Sequence, residues 1–129
     1  MAVELEPLNI IYYEREDGTM PAKEFIDSTD ANMHAKIDTL LDMLSERGRW
    51  LGMPYSRHLD EGIYELRVHF GSNASRILYF FVFGNSAVIT NGFIKKTQKT
   101  PSAELKKAKQ YRRDYLSRLH NKEKSDNNV

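Results

Sequence analysis

"IYELRVHFGSNASRILYFFVFGNSAVITNGFI", residues 63–94, carries the reading that decides the fold. Three runs rich in β-branched and aromatic residues, 63–70, 75–83 and 86–94, are separated by GSNA and GN, which is turn chemistry between strands. Gly84-Asn85 places glycine first, the pattern of a two-residue type II′ hairpin loop. Closed that way, Phe83 opposes Ser86, Phe80 opposes Ile89, Leu78 opposes Asn91 and Arg76 opposes Phe93. Closing GSNA symmetrically opposes Phe70 to Ser75, His69 to Arg76 and Arg67 to Leu78. Side chains alternate between faces along a strand, so this register sorts the meander into two sets. Tyr64, Leu66, Val68, Phe70, Ile77, Tyr79, Phe81, Phe83, Val88 and Ile94 form an apolar face for helices. Glu65, Arg67, His69, Arg76, Asn91, Phe93 and Lys95 collect on the other. Phe80 and Ile89 also fall on that charged face, which therefore needs partial cover.

Upstream, NIIYYE (residues 9–14) reads as a short strand and EDGT as a turn. Pro21 suits a first helical turn, so AKEFIDS is predicted as a short helix. Asp30 is placed to cap a second helix whose apolar positions Met33, Ile37, Leu40, Leu41 and Leu44 lie on one face, and Gly48 ends it. Residues 49–62, mixed in composition, read as a connecting segment. Downstream, Thr100 and Pro101 open a last helix through Leu105, Ala108, Tyr111, Tyr115 and Leu119, and the polar stretch from about 120 to 129 reads as a tail. The expected architecture is α+β, in the order β-α-α-β-β-β-α, with a small mainly antiparallel sheet. Helices are expected on one face and a basic cleft on the other. At 129 residues the chain reads as a single domain over 1–129, with its core over about 9–118.

Formal charge is +1, but it is unevenly divided. Residues 1–61 hold 6 Lys/Arg against 13 Asp/Glu, and residues 62–129 hold 13 against 5. The second half is therefore suited to a polyanion and the first to a basic partner. The chain has no cysteine, which removes disulfides and thiolate metal sites and fits a reducing, cytoplasmic setting. No apolar run approaches a membrane span, and MAVELEPL lacks the layout of a signal peptide. His34, His58, His69 and His120 lack metal-ligand spacing, and no nucleophile elbow or phosphate-binding glycine loop is present, so no metal and no cofactor is expected.

The functional signal is the convergence of Arg67 and Arg76 with the corner IKKTQKTPSAEL (residues 94–105). Arginine offers forked donors to phosphate, while Lys95, Lys96 and Lys99 add point charge beside a helix N-terminus. That corner is suited to hold a phosphodiester. Phe93, Tyr79 or Tyr111 is a candidate to stack on an unpaired base, and Phe93 also fits a core position. Lys106, Lys107 and Lys109 fit either a phosphate-docking helix face or a solvated one. His69 is the histidine placed for proton transfer.

The element order, together with "GIYELRV", "RILYFF", "GFIKKTQKTP" and "AELKKAKQY", resembles the RelE/ParE toxin superfamily, in particular its phage-derived HigB-like branch, over about residues 9–116. The resemblance implies the toxin of a type II toxin–antitoxin pair, an mRNA interferase that enters the ribosome and cuts mRNA through the ribose 2′-hydroxyl, blocking translation. It implies catalytic roles at Arg67, Arg76 and Lys95 or Lys96, with His69 and Tyr79 as further candidates, and RNA contacts from Thr97 and Lys99. Glu65 departs from the pattern, since a lysine stands there in a related toxin. A cognate antitoxin, a helix-turn-helix protein of HigA type, is implied as partner, docking on the basic cleft or on the acidic Glu4, Glu6, Glu14, Glu16 and Asp17. ParE-type members use the same scaffold against DNA gyrase, so the second reading is a non-nuclease gyrase inhibitor or a catalytically inactive homologue.

Overall fold

In a computed structural model, which describes residues 6–83 and 85–126, the chain forms an α+β fold. Its elements are β1 (Asn9–Tyr12), α1 (Pro21–Ser28), α2 (Ala31–Arg47), a 3-10 turn (Gly48–Trp50), β2 (Ser56–Asp60), β3 (Ile63–Phe70), β4 (Asn73–Val82), β5 (Ser86–Ile94) and α3 (Ser102–Asp126). The five strands make one sheet in the order β1-β5-β4-β3-β2, with β1 parallel to β5 and every other pair antiparallel.

Local chemistry explains most of these elements. Pro21 occupies the first turn of α1, and the Asp30 carboxylate accepts from the Met33 amide at 2.8 Å to cap α2. Met33, Ile37, Leu40, Leu41 and Leu44 form the buried stripe of α2. That stripe and α1 pack on one sheet face, against Leu66, Val68, Ile77, Tyr79, Ala87 and Ile89. Gly92 sets how closely α1 approaches: a Cβ there would lie 2.5 Å from the Phe25 ring and 2.8 Å from Ile77.

The structure corrects the sequence expectation in several places. The segment 49–62 contains a fifth strand, β2, whose polar sequence SRHLD is that of an edge strand and hides its pairing. It joins β3 through Glu61 and Gly62, both at positive φ (48° and 79°), the backbone of a type I′ turn. The β3–β4 hairpin is tighter by two positions, with Phe70 opposite Asn73 and Arg67 opposite Arg76. An even slip leaves every side chain on its expected face.

The β4–β5 hairpin differs otherwise. Near its turn Val82 opposes Ser86 and Tyr79 opposes Ile89, while beyond a bulge Leu78 opposes Asn91 and Arg76 opposes Phe93, as expected. The expected Gly84-Asn85 turn lies partly outside the described residues, since Gly84 is not among them. Thr90 is the extra residue of the bulge, and its hydroxyl donates to the Leu78 carbonyl at 3.1 Å, occupying a group the ladder leaves free. The bulge exchanges the faces of Val88 and Ile89: Ile89 joins the α1–α2 core and Val88 turns to the opposite side. Phe70, Phe83 and Ile94, expected in the core, are exposed because they lie at strand ends beyond the helices.

The helices are not confined to one face. α3 crosses the charged side of the sheet and packs Ala108, Leu105, Tyr111, Tyr115 and Leu116 against Ile63, Leu78, Phe80, Val88 and Phe93. It is the cover that Phe80 requires. α3 also runs on past the expected tail boundary at about 120 to Asp126.

Candidate functional site

The charged face persists, but α3 and the corner before it divide it into a buried part and an open part. Glu65 and Arg76, on neighbouring strands, are 5% and 2% exposed, and the Arg76 Nε stands 3.3 Å from the Glu65 carboxylate. The Thr100 hydroxyl donates to the same carboxylate at 2.7 Å, so it reaches across to the sheet from just before the helix, which begins at Ser102. Arg76 Nη1 also donates to the Ser75 carbonyl at 3.3 Å. Burial and the neighbouring Arg67 push the Arg76 guanidinium below its ordinary value while Glu65 pulls it back up; burial is the largest of these effects. An arginine with its high reference value stays protonated under all these influences. Arg76 is thus a buried cation already matched to a carboxylate, which accounts for the glutamate at position 65.

The corner is fixed at both ends. Lys95 N–H donates to the Ala74 carbonyl at 2.9 Å, prolonging the sheet by one rung. Asn91 Nδ2 donates to the Glu104 backbone carbonyl at 3.1 Å and to its carboxylate at 3.0 Å, which ties the first turn of α3 to β5. Between these ties the chain loops outward, with the Thr97 hydroxyl donating to the Lys99 carbonyl at 2.9 Å.

The loop borders an open hollow of about 400 Å3 lined by His69, Ser72, Ala74, Lys95, Lys96, Thr97 and Gln98. His69 is the group in it whose ordinary titration lies closest to neutral pH. His69 is exposed, yet some desolvation, then Arg76, Lys95 and Arg67, hold its imidazole below its ordinary value, which favours the neutral form. Arg67 lies two residues before His69 on β3. Its guanidinium meets no carboxylate among the described residues: Nε is buried without an acceptor and Nη1 has the Met53 sulfur at 3.6 Å. Chemically the hollow offers fixed positive charge beside a neutral imidazole that can take a proton.

The structure brings His69, Lys95, Lys96 and Thr97 together and sets Arg67 beside them. Arg76 contributes its field from below the surface. Lys99 is exposed on the same loop. Phe93 is partly buried against α3, in a core position. On α3, Lys107 pairs with Glu104 at 3.4 Å and Lys109 with Asp60 at 2.6 Å, leaving Lys106 as the exposed lysine of the three without an ion pair to a described residue. The other aromatic candidates lie elsewhere. Tyr79 is buried on the α1–α2 side, hydrogen-bonded to the Ser56 hydroxyl, with burial pushing its phenol up to about 12. Tyr111 stacks on Tyr13 with ring centres 4.6 Å apart and accepts from Arg15 at 2.8 Å. Among the acidic candidates for partner docking, Glu6, Glu14, Glu16 and Asp17 are exposed, and Glu4 lies outside the described residues.

Sequence reasoning missed the Glu65–Thr100 contact. Its sole sequence signal was the acidic residue interrupting a basic strand face.

The sequence profile described as "Phage derived protein Gp49-like" matches residues 24–113, which include every residue of the hollow. No curated protein matches the chain closely enough to add a named relative. The match covers more than half of the chain, which therefore belongs to the Gp49-like family of phage-derived proteins, a RelE-like, toxin-like family.

Proposed function

We propose that this Gp49-like protein is the toxin of a type II toxin–antitoxin pair, of the HigB-like branch, and acts as a ribosome-dependent mRNA endonuclease. One observation carries the reading: the exposed His69 imidazole borders an open hollow together with Lys95 and Lys96, and the nearby cations Arg76, Lys95 and Arg67 disfavour its protonated form. Such a group is placed to accept a proton where a phosphodiester is attracted.

In the proposed reaction the ribose 2′-hydroxyl attacks the adjacent phosphorus, a 2′-O–P bond forms and the P–O5′ bond breaks. The 2′-hydroxyl proton passes to His69, and the departing 5′-oxygen takes a proton from Lys95 or Lys96. The products are a 2′,3′-cyclic phosphate and a 5′-hydroxyl. Arg67 and the corner lysines would hold the phosphate and offset the charge that develops on it in the transition state. Arg76 would act without touching RNA, as a buried charge that keeps His69 unprotonated; Glu65 and Thr100 would fix its position.

The test is induced expression in a bacterium followed by mapping of transcript 5′ ends. Cuts inside translated frames bearing 5′-hydroxyls are expected, reduced by about 10²–10⁴-fold in His69→Ala, the usual range for loss of a general acid–base group. Intact transcripts together with a DNA-damage response would overturn the nuclease reading in favour of a gyrase inhibitor.

A further inference from the structure

Ion pairing divides the surface arginines and lysines into two groups. On α3, Lys107 meets Glu104, Lys109 meets Asp60 and Glu61, and Arg118 meets Asp114, while Lys106, Arg112, Arg113, Lys122 and Lys124 form no ion pair with a described residue. In the segment RGRWLGMPYSR, residues 47–57, and in Arg67 beside it, no arginine forms an ion pair with a described residue. The same segment exposes its rings. Trp50 is 84% exposed, Met53 62% and Tyr55 38%. Arg47 stands over the Tyr55 ring at 5.9 Å. A hollow of about 390 Å3 lies beside Trp50, bordered by Arg47 and Arg49 but also by the carboxylates Glu6 and Glu46.

These residues form a connected path. Arg67 N–H donates to the Tyr55 carbonyl at 2.8 Å and its guanidinium reaches the Met53 sulfur. Tyr55 lies under Arg47, and Arg47 borders the hollow that Trp50 shares. From Arg67 the path continues two residues along β3 to His69. Guanidinium groups without ion pairs, two of them stacked over Tyr55 and Phe81, beside the open face of Trp50 match what a flexible single strand offers, phosphates for the arginines and a base for the exposed ring. Aromatic and arginine anchors also suit a folded protein partner, but residues 47–57 hold three arginines and no acid, a balance that favours a polyanion.

From this we infer that the segment from Trp50 to Arg67 is a binding track for single-stranded RNA, holding nucleotides that flank the one at His69, with a base stacked on Trp50. The inference extends the nuclease reading, yet binding can be measured without ribosome or cleavage.

Trp50 is the chain's sole tryptophan, so its emission reports this site alone. The full chain is titrated with an oligouridylate of about twelve nucleotides, a length within the range single-strand binding sites span. Quenching of Trp50 emission is expected on saturation. By anisotropy of the labelled RNA, Trp50→Ala is expected to weaken binding about 5- to 100-fold, with Trp50→Phe retaining most of the affinity. The Arg47→Ala, Arg49→Ala double variant is expected to reduce the slope of log affinity against log salt by about 1.4, from two lost phosphate contacts on a single strand. These side chains are exposed, so unchanged thermal unfolding checks that the variants fold.

Undisturbed Trp50 emission at saturating RNA, or equal RNA affinity in wild type and Trp50→Ala, overturns the inference. The two readings fail separately. RNA bound through Trp50 without transcript cleavage removes the nuclease and leaves the track. Cleavage with RNA binding indifferent to Trp50 does the reverse.

Discussion

The two faces of the sheet are built from alternate residues of the same strands, yet they do different work. On the α1–α2 side, Leu66 and Val68 of β3 and Ile77 of β4 meet Ile37, Leu40 and Leu44 in a continuous apolar layer. On the α3 side the intervening positions are Glu65, Arg67 and Arg76, and the apolar packing is limited to a smaller cluster around Ile63, Leu78 and Phe80. The first face stabilises by burial, at about 25 cal/mol per Å2 of apolar surface removed from water. The second spends burial on charge, where two ions leave water and must match each other closely. A buried ion pair adds little net stability, and here it fixes Arg76 against Glu65 with its guanidinium clear of solvent.

The largest effect that could break this contrast lies at Glu65. Replacing Glu65 by Ala leaves Arg76 buried without a counter-charge and is expected to cost about 3–5 kcal/mol of stability in chemical unfolding. Replacing both residues by apolar ones of similar size, Glu65→Leu with Arg76→Met, is expected to be near neutral. If the double variant proved as unstable as the single, the polar layer would be supplying the fold and not merely positioning charge.

On the apolar side the sharper probe is Gly92→Ala. The added methyl would meet the Phe25 ring and Ile77, so overpacking of about 1–3 kcal/mol is expected, with a lowered unfolding midpoint. A neutral result would mean that α1 can shift outward, and that the dry layer is softer than its packing implies.

The smallest effect is a pH dependence belonging to the charged side alone. His69 has a folded value below its unfolded value of about 6.5, so as pH falls from there the unfolded chain takes up a proton first. Stability therefore declines with falling pH between the unfolded value and the lower folded one. The Asp60 and Asp114 carboxylates, whose values are also lowered, act in the same direction but below pH 3.8. Unfolding midpoints at pH 7 and pH 5 are expected to show a smaller difference in His69→Gln than in wild type.

How much of this was legible follows from the distance over which each feature is decided. The capping of α2 by Asp30, the stripe from Met33 to Leu44 and the alternation of β3 depend on neighbours a few residues apart, and all were read correctly. The strand β2 was missed because SRHLD has the composition of a loop, and only pairing to β3 makes it a strand. The faces of Val88 and Ile89 were exchanged because a bulge at Thr90 is chosen by the packing on both sides of the sheet. In the candidate site, grouping His69 with Lys95 and Lys96 was within reach of the sequence, since strand alternation and a tight corner dictate it. The burial of Arg76 was not.

By itself, then, the sequence determined the secondary structure of α1, α2 and the meander, the segregation of charge to one sheet face, and the basic corner after β5. These follow from covalent periodicity and local capping, which act over one or two turns of chain. The tertiary structure alone decided which charges are free. It laid α3 over the charged face, brought Thr100 across 35 residues to Glu65, and gave Arg76 an internal partner while leaving Arg67 and the 47–57 arginines without ion pairs to described residues. Charge is a property of the residue, but its availability depends on desolvation and on counter-charges that only the folded chain brings within a few ångströms.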